Sequence, residues 1–231
     1  MALGLTSVQA QNIYATAPHV WSGTTIQPYV SLHQLQAPSK AQQEASRAAN
    51  DMQRGHNESA KRHIKAALDA YSDYSVALAL RAMLEFSEYD DEHAVADVQK
   101  SMSVDPGCAL AYLLTAEIYS SSGKYEQALE LLKRSSELLS WAWQYHYELC
   151  KALLGNQQYS ASLRAINTAL ELTSPTNATS DDLARLHFFR AWTYAKLNDK
   201  TSAKTEYQAA QNGDPSGNVA AEARRQLALL Q

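Results

Sequence analysis

Small residues recur in this chain at a fixed interval, and that interval limits the folds open to it. Ala60, Ala94, Ala128 and Ser162 stand 34 positions apart, and Ala203 follows after 41, one period plus seven inserted residues. A second column runs through Ala67, Ser101, Ser135, Ala169 and Ala210, and an earlier one through Ala48, Ala82, Ala116, Cys150 and Ala191. Larger apolar residues follow the first column by four positions, at Ile64, Val98, Leu132, Ile166 and Tyr207. Self-similarity at a period of this length marks an array of identical supersecondary units. Small side chains let two helices approach closely, and the bulky neighbours fill the groove between them. One such pair cannot bury its apolar face alone, so it must stack on the next.

The punctuation agrees. Gly55 and Gly123 mark a turn inside their units, and Tyr125 and Tyr159 fall two residues after that turn position. Pro106 and Pro215 end the second helix of their units, where Ser72, Ser140 and Ser174 hold the same column. Ala and Leu are the commonest residues, Gln and Glu are well represented, and there are only 8 Gly and 6 Pro, a mixture that favours helix.

The best unit runs from Ala109 to Ala142, with Tyr112, Tyr119, Gly123, Tyr125, Ala128 and Leu132 in place. At these positions the sequence resembles the tetratricopeptide-repeat family, over roughly residues 41–216. The usual Leu-Gly pair of the first helix is absent: Arg47, Arg81, Thr115, Leu149 and Arg190 stand where that Leu would be. The resemblance implies an all-α fold, a right-handed α–α superhelix of five helix pairs with a C-terminal capping helix. The units expected are 41–74, 75–108, 109–142, 143–176 and 184–217. Between the last two, Pro175 stops a helix and Ser180 or Asp181 caps the next. The cap, within 218–231, presents Val219, Ala223, Leu227 and Leu230 to the array.

Residues 1–40 form an N-terminal arm of another character. Up to Ser39 it contains no Asp, Glu, Lys or Arg, and Pro18, Pro28 and Pro38 punctuate it. It is expected to be extended and irregular, with weak strand-like alternation over Tyr29, Val30, Ser31, Leu32 and His33. Val8-Gln9-Ala10 has the small −3/−1 pattern of a signal-peptidase site, without the charged and apolar regions of a full signal. Two readings stand: the tail of a signal peptide whose start lies upstream, or an ordinary N-terminus. The join from Leu32 to Ala41 looks like the lead-in of exported bacterial repeat proteins, which points to a periplasmic or secreted location.

Chemistry is sparse. The formal net charge of −4 gives no general attraction for nucleic acid, and no apolar run is long enough to span a membrane. No nucleophile–base pair, metal-ligand spacing or phosphate loop is present, so no catalytic residue, metal or cofactor is expected. His146 and His187 share a column that the family fills with large apolar residues, and are read as packing imidazoles without an acidic partner. Cys108 and Cys150 are read as separate, half-buried thiols.

Function is therefore sought in binding. In the family the first helices line the concave face and hold a protein or peptide. The chaperone-binding members use a Lys/Asn/Arg carboxylate clamp; here Ala45, Ala49, Ala79 and Met83 occupy such places, which excludes that function. The early part of the groove, with Met83 and Phe86, is apolar. The late part combines Tyr147, Phe188 and Trp192 with Lys151, Arg185 and Lys196, which suits an acidic ligand with apolar or aromatic character. Two functions remain open. One is a non-catalytic protein- or peptide-binding scaffold. The other is a structural or self-associating array whose groove holds its own N-terminal arm or a second copy. In the second case the aromatics merely pack between units.

Overall fold

The computed structural model describes residues 31–213, 215 and 217–230. Among them are twelve α-helices and no strand. They are α1 (Leu32–Gln36), α2 (Ser39–Gln53), α3 (Asn57–Ala70), α4 (Ser75–Ser87), α5 (Asp91–Val104), α6 (Ala109–Ser121), α7 (Tyr125–Leu139), α8 (Trp143–Gly155), α9 (Tyr159–Leu172), α10 (Ser180–Lys196), α11 (Lys200–Gly213) and α12 (Asn218–Leu229). The described chain divides into two compact units, residues 31–118 and residues 119–230. In the first, α2 packs on α3 and α4 on α5, with α1 against α4. In the second, α8 packs on α9 and α10 on α11, and α12 covers α11 and α10.

The period is visible in the helix starts. Helices α3, α5, α7 and α9 begin 34 residues apart, and α11 begins 41 after α9. The residue two positions before each of these starts has a positive φ: Gly55 (72°), Tyr89 (63°), Gly123 (72°), Gln157 (60°) and Asn198 (63°). All five turns close in the same way. The next amide reaches back five residues, as His56 N donates to Asp51 O at 2.8 Å and Gln158 N to Leu153 O at 2.8 Å. The left-handed residue itself donates to the carbonyl three back, as Tyr89 N does to Phe86 O at 3.1 Å. This is the Schellman closure, which satisfies the last carbonyls of the first helix and reverses the chain.

The small columns lie where the helices meet. All fifteen residues of the three columns have an exposure of 0%. Ile64, Val98, Leu132, Ile166 and Tyr207 fill the space beside them, none more than 2% exposed. In the second unit Ser162 Oγ donates to Cys150 O (3.1 Å) and lies 3.1 Å from Thr193 Oγ1, linking α8, α9 and α10 through polar atoms that apolar walls surround.

Several local expectations are corrected. Residues 32–36 are helical, because the Ser31 side chain accepts from Gln34 N at 3.1 Å and so caps a turn. Tyr29 and Val30, like the signal-peptidase pattern at Val8-Gln9-Ala10, lie outside the described residues. Neither Ser180 nor Asp181 caps α10. Thr179 does: its hydroxyl accepts from Asp182 N (3.2 Å) while the Asp182 carboxylate accepts from Thr179 N (2.7 Å), a capping box. Helix α9 stops at Leu172, before Pro175, and Asn177 ties the inserted loop by donating to Leu172 O and accepting from Ser174 N. On α12 the buried stripe is Val219, Ala220, Ala223 and Gln226, while Leu227 and Leu230 are half-buried. Gln226 is tolerated there because it donates to Glu222 at 2.8 Å. Both cysteines are free and fully buried rather than half-buried.

Candidate functional site

The first helices of the pairs carry the residues expected to bind. Helix α8 has ten buried residues out of thirteen, including Gln144, Glu148 and Lys151. Its partner α9 buries only Ser162, Ala165, Ile166 and Ala169. A second helix thus hides one stripe, whereas a first helix is enclosed on nearly every side.

Three of the aromatics expected in the late groove come together. Tyr147 meets Phe189 edge-on with ring centroids 5.2 Å apart, and Phe189 lies 5.8 Å from Trp192. Phe188 lies 6.4 Å from Trp192 and 5.4 Å from Tyr207. Trp143 joins at 6.5 Å from Tyr147 and donates from Nε1 to Asn177 O at 2.9 Å, so the inserted loop is tied to the same cluster. Edge-on pairs of this kind each contribute about 0.5–1.5 kcal/mol beyond their buried area. Tyr147, Phe188 and Trp192 are 2–5% exposed, so they pack within the unit.

Two of the cations are held by carboxylates of their own helices. Lys151 Nζ lies 3.1 Å from Glu148, the pair being almost wholly buried, and 5.2 Å from the centre of the Tyr147 ring. Arg185 Nε donates to Asp181 at 3.0 Å and keeps 17% of its side chain exposed. Lys196 is half-buried at the end of α10. Met83, buried, and Phe86, half-buried, belong to α4 in the other unit and are not part of this cluster. Phe189, Trp143 and Glu148 were missed by the column reading. The Glu148–Lys151 spacing of i, i+3 was a readable sign of an internal pair.

Charges also tie the helix pairs together. The Arg81 guanidinium grips Asp97 with Nε and Nη2, the latter at 2.7 Å, and Arg190 Nη2 donates to Glu206 at 2.8 Å. His187 Nδ1 lies 2.8 Å from the other Glu206 oxygen, so the expectation that His187 lacks an acidic partner is corrected: the partner comes from the second helix. Burial works to raise the Glu206 carboxyl, but hydrogen bonds from His187 and Arg190 outweigh it and hold the group below the usual range. The Cys150 thiol is pushed up to about 12 by burial, which removes it as a nucleophile at neutral pH. Among the described residues, no cluster of three or more His, Cys, Asp or Glu is placed to hold a metal ion, and no helix is long and apolar enough to cross a membrane.

Solved structures share this architecture. A chain of the APC/C hetero-tetramer Cut9–Hcn1 matches over 84% of this chain at 17% identity, with a TM-score of 0.75. This chain spans 37% of the length of that one. TTC0263, a thermophilic TPR protein of Thermus thermophilus, matches over 82% of this chain and 98% of its own, at 16% identity and a TM-score of 0.66. YrrB, described as a TPR protein with an unusual peptide-binding site, matches over 84% of this chain and 98% of its own, at 15% identity and a TM-score of 0.53. The sequence model of the tetratricopeptide repeat matches residues 184–216.

Residues 184–216 match the tetratricopeptide repeat, and the described helices share the fold of solved tetratricopeptide-repeat proteins.

No curated protein sequence matches this chain. The tetratricopeptide repeat is typically the fold of a protein-interaction scaffold and is usually non-catalytic.

Proposed function

We propose that this tetratricopeptide-repeat chain is a non-catalytic scaffold that holds a protein or peptide on its first-helix face. Tyr147, Lys151, Arg185, Phe188, Trp192 and Lys196 form the main site, and Met83 and Phe86 a separate apolar one. The observation that carries this reading is the convergence of α8 and α10: aromatic rings from two first helices meet on one unit, with Lys151 beside the Tyr147 ring. Rigid aromatics give contact area at low conformational-entropy cost, and cations select an acidic group in the ligand. Because Lys151 and Arg185 already have carboxylate partners, that acidic group competes for them and does not meet bare charges. The exported bacterial setting suggested by residues 32–41 belongs to the same proposal.

The test uses the half-buried members, whose loss leaves the aromatic cluster intact. A partner captured from the source organism is titrated against Arg185→Gln and Lys196→Glu. Each variant is expected to weaken binding by about 1 kcal/mol or more with little change in melting temperature, and added salt should weaken the native complex. Unchanged affinity in both variants would move the site elsewhere. A second reading makes the chain a structural or self-associating array whose aromatics only pack between units, and the packing of Tyr147 on Phe189 and of Phe188 on Tyr207 favours it.

A further inference from the structure

We propose that the edge formed by the α2–α3 and α4–α5 turns is where a second copy of this chain docks, about a two-fold axis that sets the first turn of each copy against the second turn of the other. Every residue concerned lies in the unit of residues 31–118. The inference goes beyond the scaffold reading and does not depend on what the first helices bind.

The two turns are neighbours. Helix α3 packs on α4, and Lys61 of α3 reaches Glu88, the residue that closes α4, at 2.6 Å. They are also the same structure one period apart. Gly55 and Tyr89 are their left-handed residues, at φ of 72° and 63°. The next amide in each reaches back five residues, His56 N to Asp51 O at 2.8 Å and Asp90 N to Glu85 O at 2.9 Å. A half-turn about an axis midway between them, lying in the edge surface and across the stack, therefore sets each turn of one copy on the other turn of the second.

The residues that this operation brings together are complementary in charge. The first turn reads Arg54-Gly55-His56 and the second Glu88-Tyr89-Asp90, and all six are exposed. The Arg54 guanidinium of one copy meets the Glu88 carboxylate of the other, and the His56 imidazole, a hydrogen-bond donor, meets Asp90. Both contacts occur twice. Lys61 and His93 already touch Glu88 and Asp90 within the chain. The second turn nevertheless stays negative, because residues 85–92 hold five carboxylates and no lysine or arginine. Residues 52–57 hold Arg54 and no carboxylate. Opposite charges facing across an interface steer the encounter and fix its register.

Shape agrees with charge. Tyr89 is 82% exposed, in a backbone conformation that glycine adopts freely and tyrosine does not. At Gly55, the equivalent position, an added Cβ would meet nothing within 4 Å. The half-turn lays each Tyr89 ring on the open backbone at Gly55 of the other copy, a rigid aromatic contact of the kind that anchors interfaces. An unrelated partner would need the same charges and the same open spot in reverse order, whereas a second copy has them by symmetry. Two turns make a small interface, below about 1,200 Å² in total, so the dimer is weak and forms with rising concentration.

Sedimentation velocity of the full chain is the test. The mass should climb from 25.5 kDa toward twice that value with concentration, and fall back in about 1 M salt, where the Debye length is about 3 Å. Arg54→Glu and Glu88→Arg should each weaken self-association by about tenfold or more. An equimolar mixture of these two variants should regain it, since the two reversals face each other in the mixed dimer and its other pair is native. Tyr89→Gly keeps the turn and should lose the dimer. A mass of 25.5 kDa at every concentration overturns the proposal. So does a dimer that both reversals leave intact, or a mixture that stays monomeric while both variants keep the native circular-dichroism spectrum. If either reversal disturbs the fold, Tyr89→Gly decides alone, and undiminished self-association in that chain overturns the proposal.

Discussion

Gly155, the last residue of α8, tests the packing of the second unit through a change of one methyl group. A Cβ placed there would lie 2.2 Å from Cε1 of Tyr125 and 2.4 Å from its Cδ1 and Cζ. Carbon atoms in contact sit about 3.5–4.0 Å apart, so the ring or the end of α8 must shift by more than 1 Å. Overpacking of this kind typically costs about 1–3 kcal/mol. Alanine regains about 0.5–1 kcal/mol in a helix, and less at its last residue. Gly155→Ala should therefore destabilise the chain by about 1–2 kcal/mol. Tyr125 begins α7 and is half-buried, so removing its ring removes the obstacle. In a Tyr125→Ala background the same glycine change should become stabilising by up to about 1 kcal/mol, a reversal of sign. The assay is urea unfolding followed by far-ultraviolet circular dichroism on the four chains of the cycle. Equal shifts in both backgrounds, or a Gly155→Ala chain more stable than the native one, would refute the close approach.

Three further outcomes follow from the turns and the ion pairs. Tyr89 is 82% exposed with a positive φ, so Tyr89→Gly should relieve a left-handed penalty of about 1–2 kcal/mol, partly offset by the flexibility glycine adds to the unfolded chain; a lowered urea midpoint would mean that the ring contributes stability after all. Glu206 is held below the usual carboxylate range, so its contribution is full above about pH 4.3 and is lost as pH falls through its folded value. Glu206→Gln should then be less stable than the native chain near neutrality, with the gap closing in acid; a gap that is constant with pH would contradict this. Arg81→Leu leaves Asp97, 8% exposed, without its guanidinium and, because the arginine itself is 45% exposed, should destabilise by about 1–2 kcal/mol, whereas Arg81→Leu with Asp97→Leu should recover most of the loss. Thermal or urea unfolding of the single and double variants decides it, and equal losses in both would remove the pair as the cause.

The fold was legible because close packing leaves a mark in sequence. A position where two helix backbones nearly touch accepts only Ala, Ser or Cys, and such positions recurred in register from Ala48 to Ala210. The turns were half legible. Glycine announced two of the five left-handed residues, while Tyr89, Gln157 and Asn198 adopt the same conformation because paired Schellman hydrogen bonds hold them there. The cap of α10 was misplaced by one residue because Thr179, Ser180 and Asp181 are all acceptable caps. Only the reciprocal bond from Asp182 selects Thr179. The residues of the candidate site were legible as a column, but their burial was not. A first helix packs on several neighbours at once, so one column cannot say whether Trp192 faces a ligand or Phe188 and Phe189.

The missing Leu-Gly pair has a physical counterpart in the ion pairs. Arg81 and Arg190 stand where the family places leucine, and each reaches a carboxylate 16 residues on, across the turn, on the second helix of its pair. The aliphatic stem of arginine covers the seam much as leucine would, and the planar head adds a directional contact. Leucine in that place fixes how closely two helices pack but tolerates a small slide along their axes. A two-nitrogen grip such as Arg81 on Asp97 does not, because sliding breaks both bonds at once. In the first pair Arg47 instead bonds Glu44 in its own helix at 2.7 Å, and His63 of the second helix, 2.6 Å from the same carboxylate, spans the seam. Where Leu149 keeps the apolar choice, the seam between α8 and α9 is held by Cys150 and Ser162 inside it. Charge therefore sets helix register in the pairs that carry arginine at that place, and buried hydroxyl and thiol groups set it in the pair where leucine remains. The pairs held through the Glu44 and Glu206 carboxylates, both kept below the usual range by their hydrogen bonds, are consequently expected to loosen as pH falls through those folded values, and the α8–α9 pair to persist.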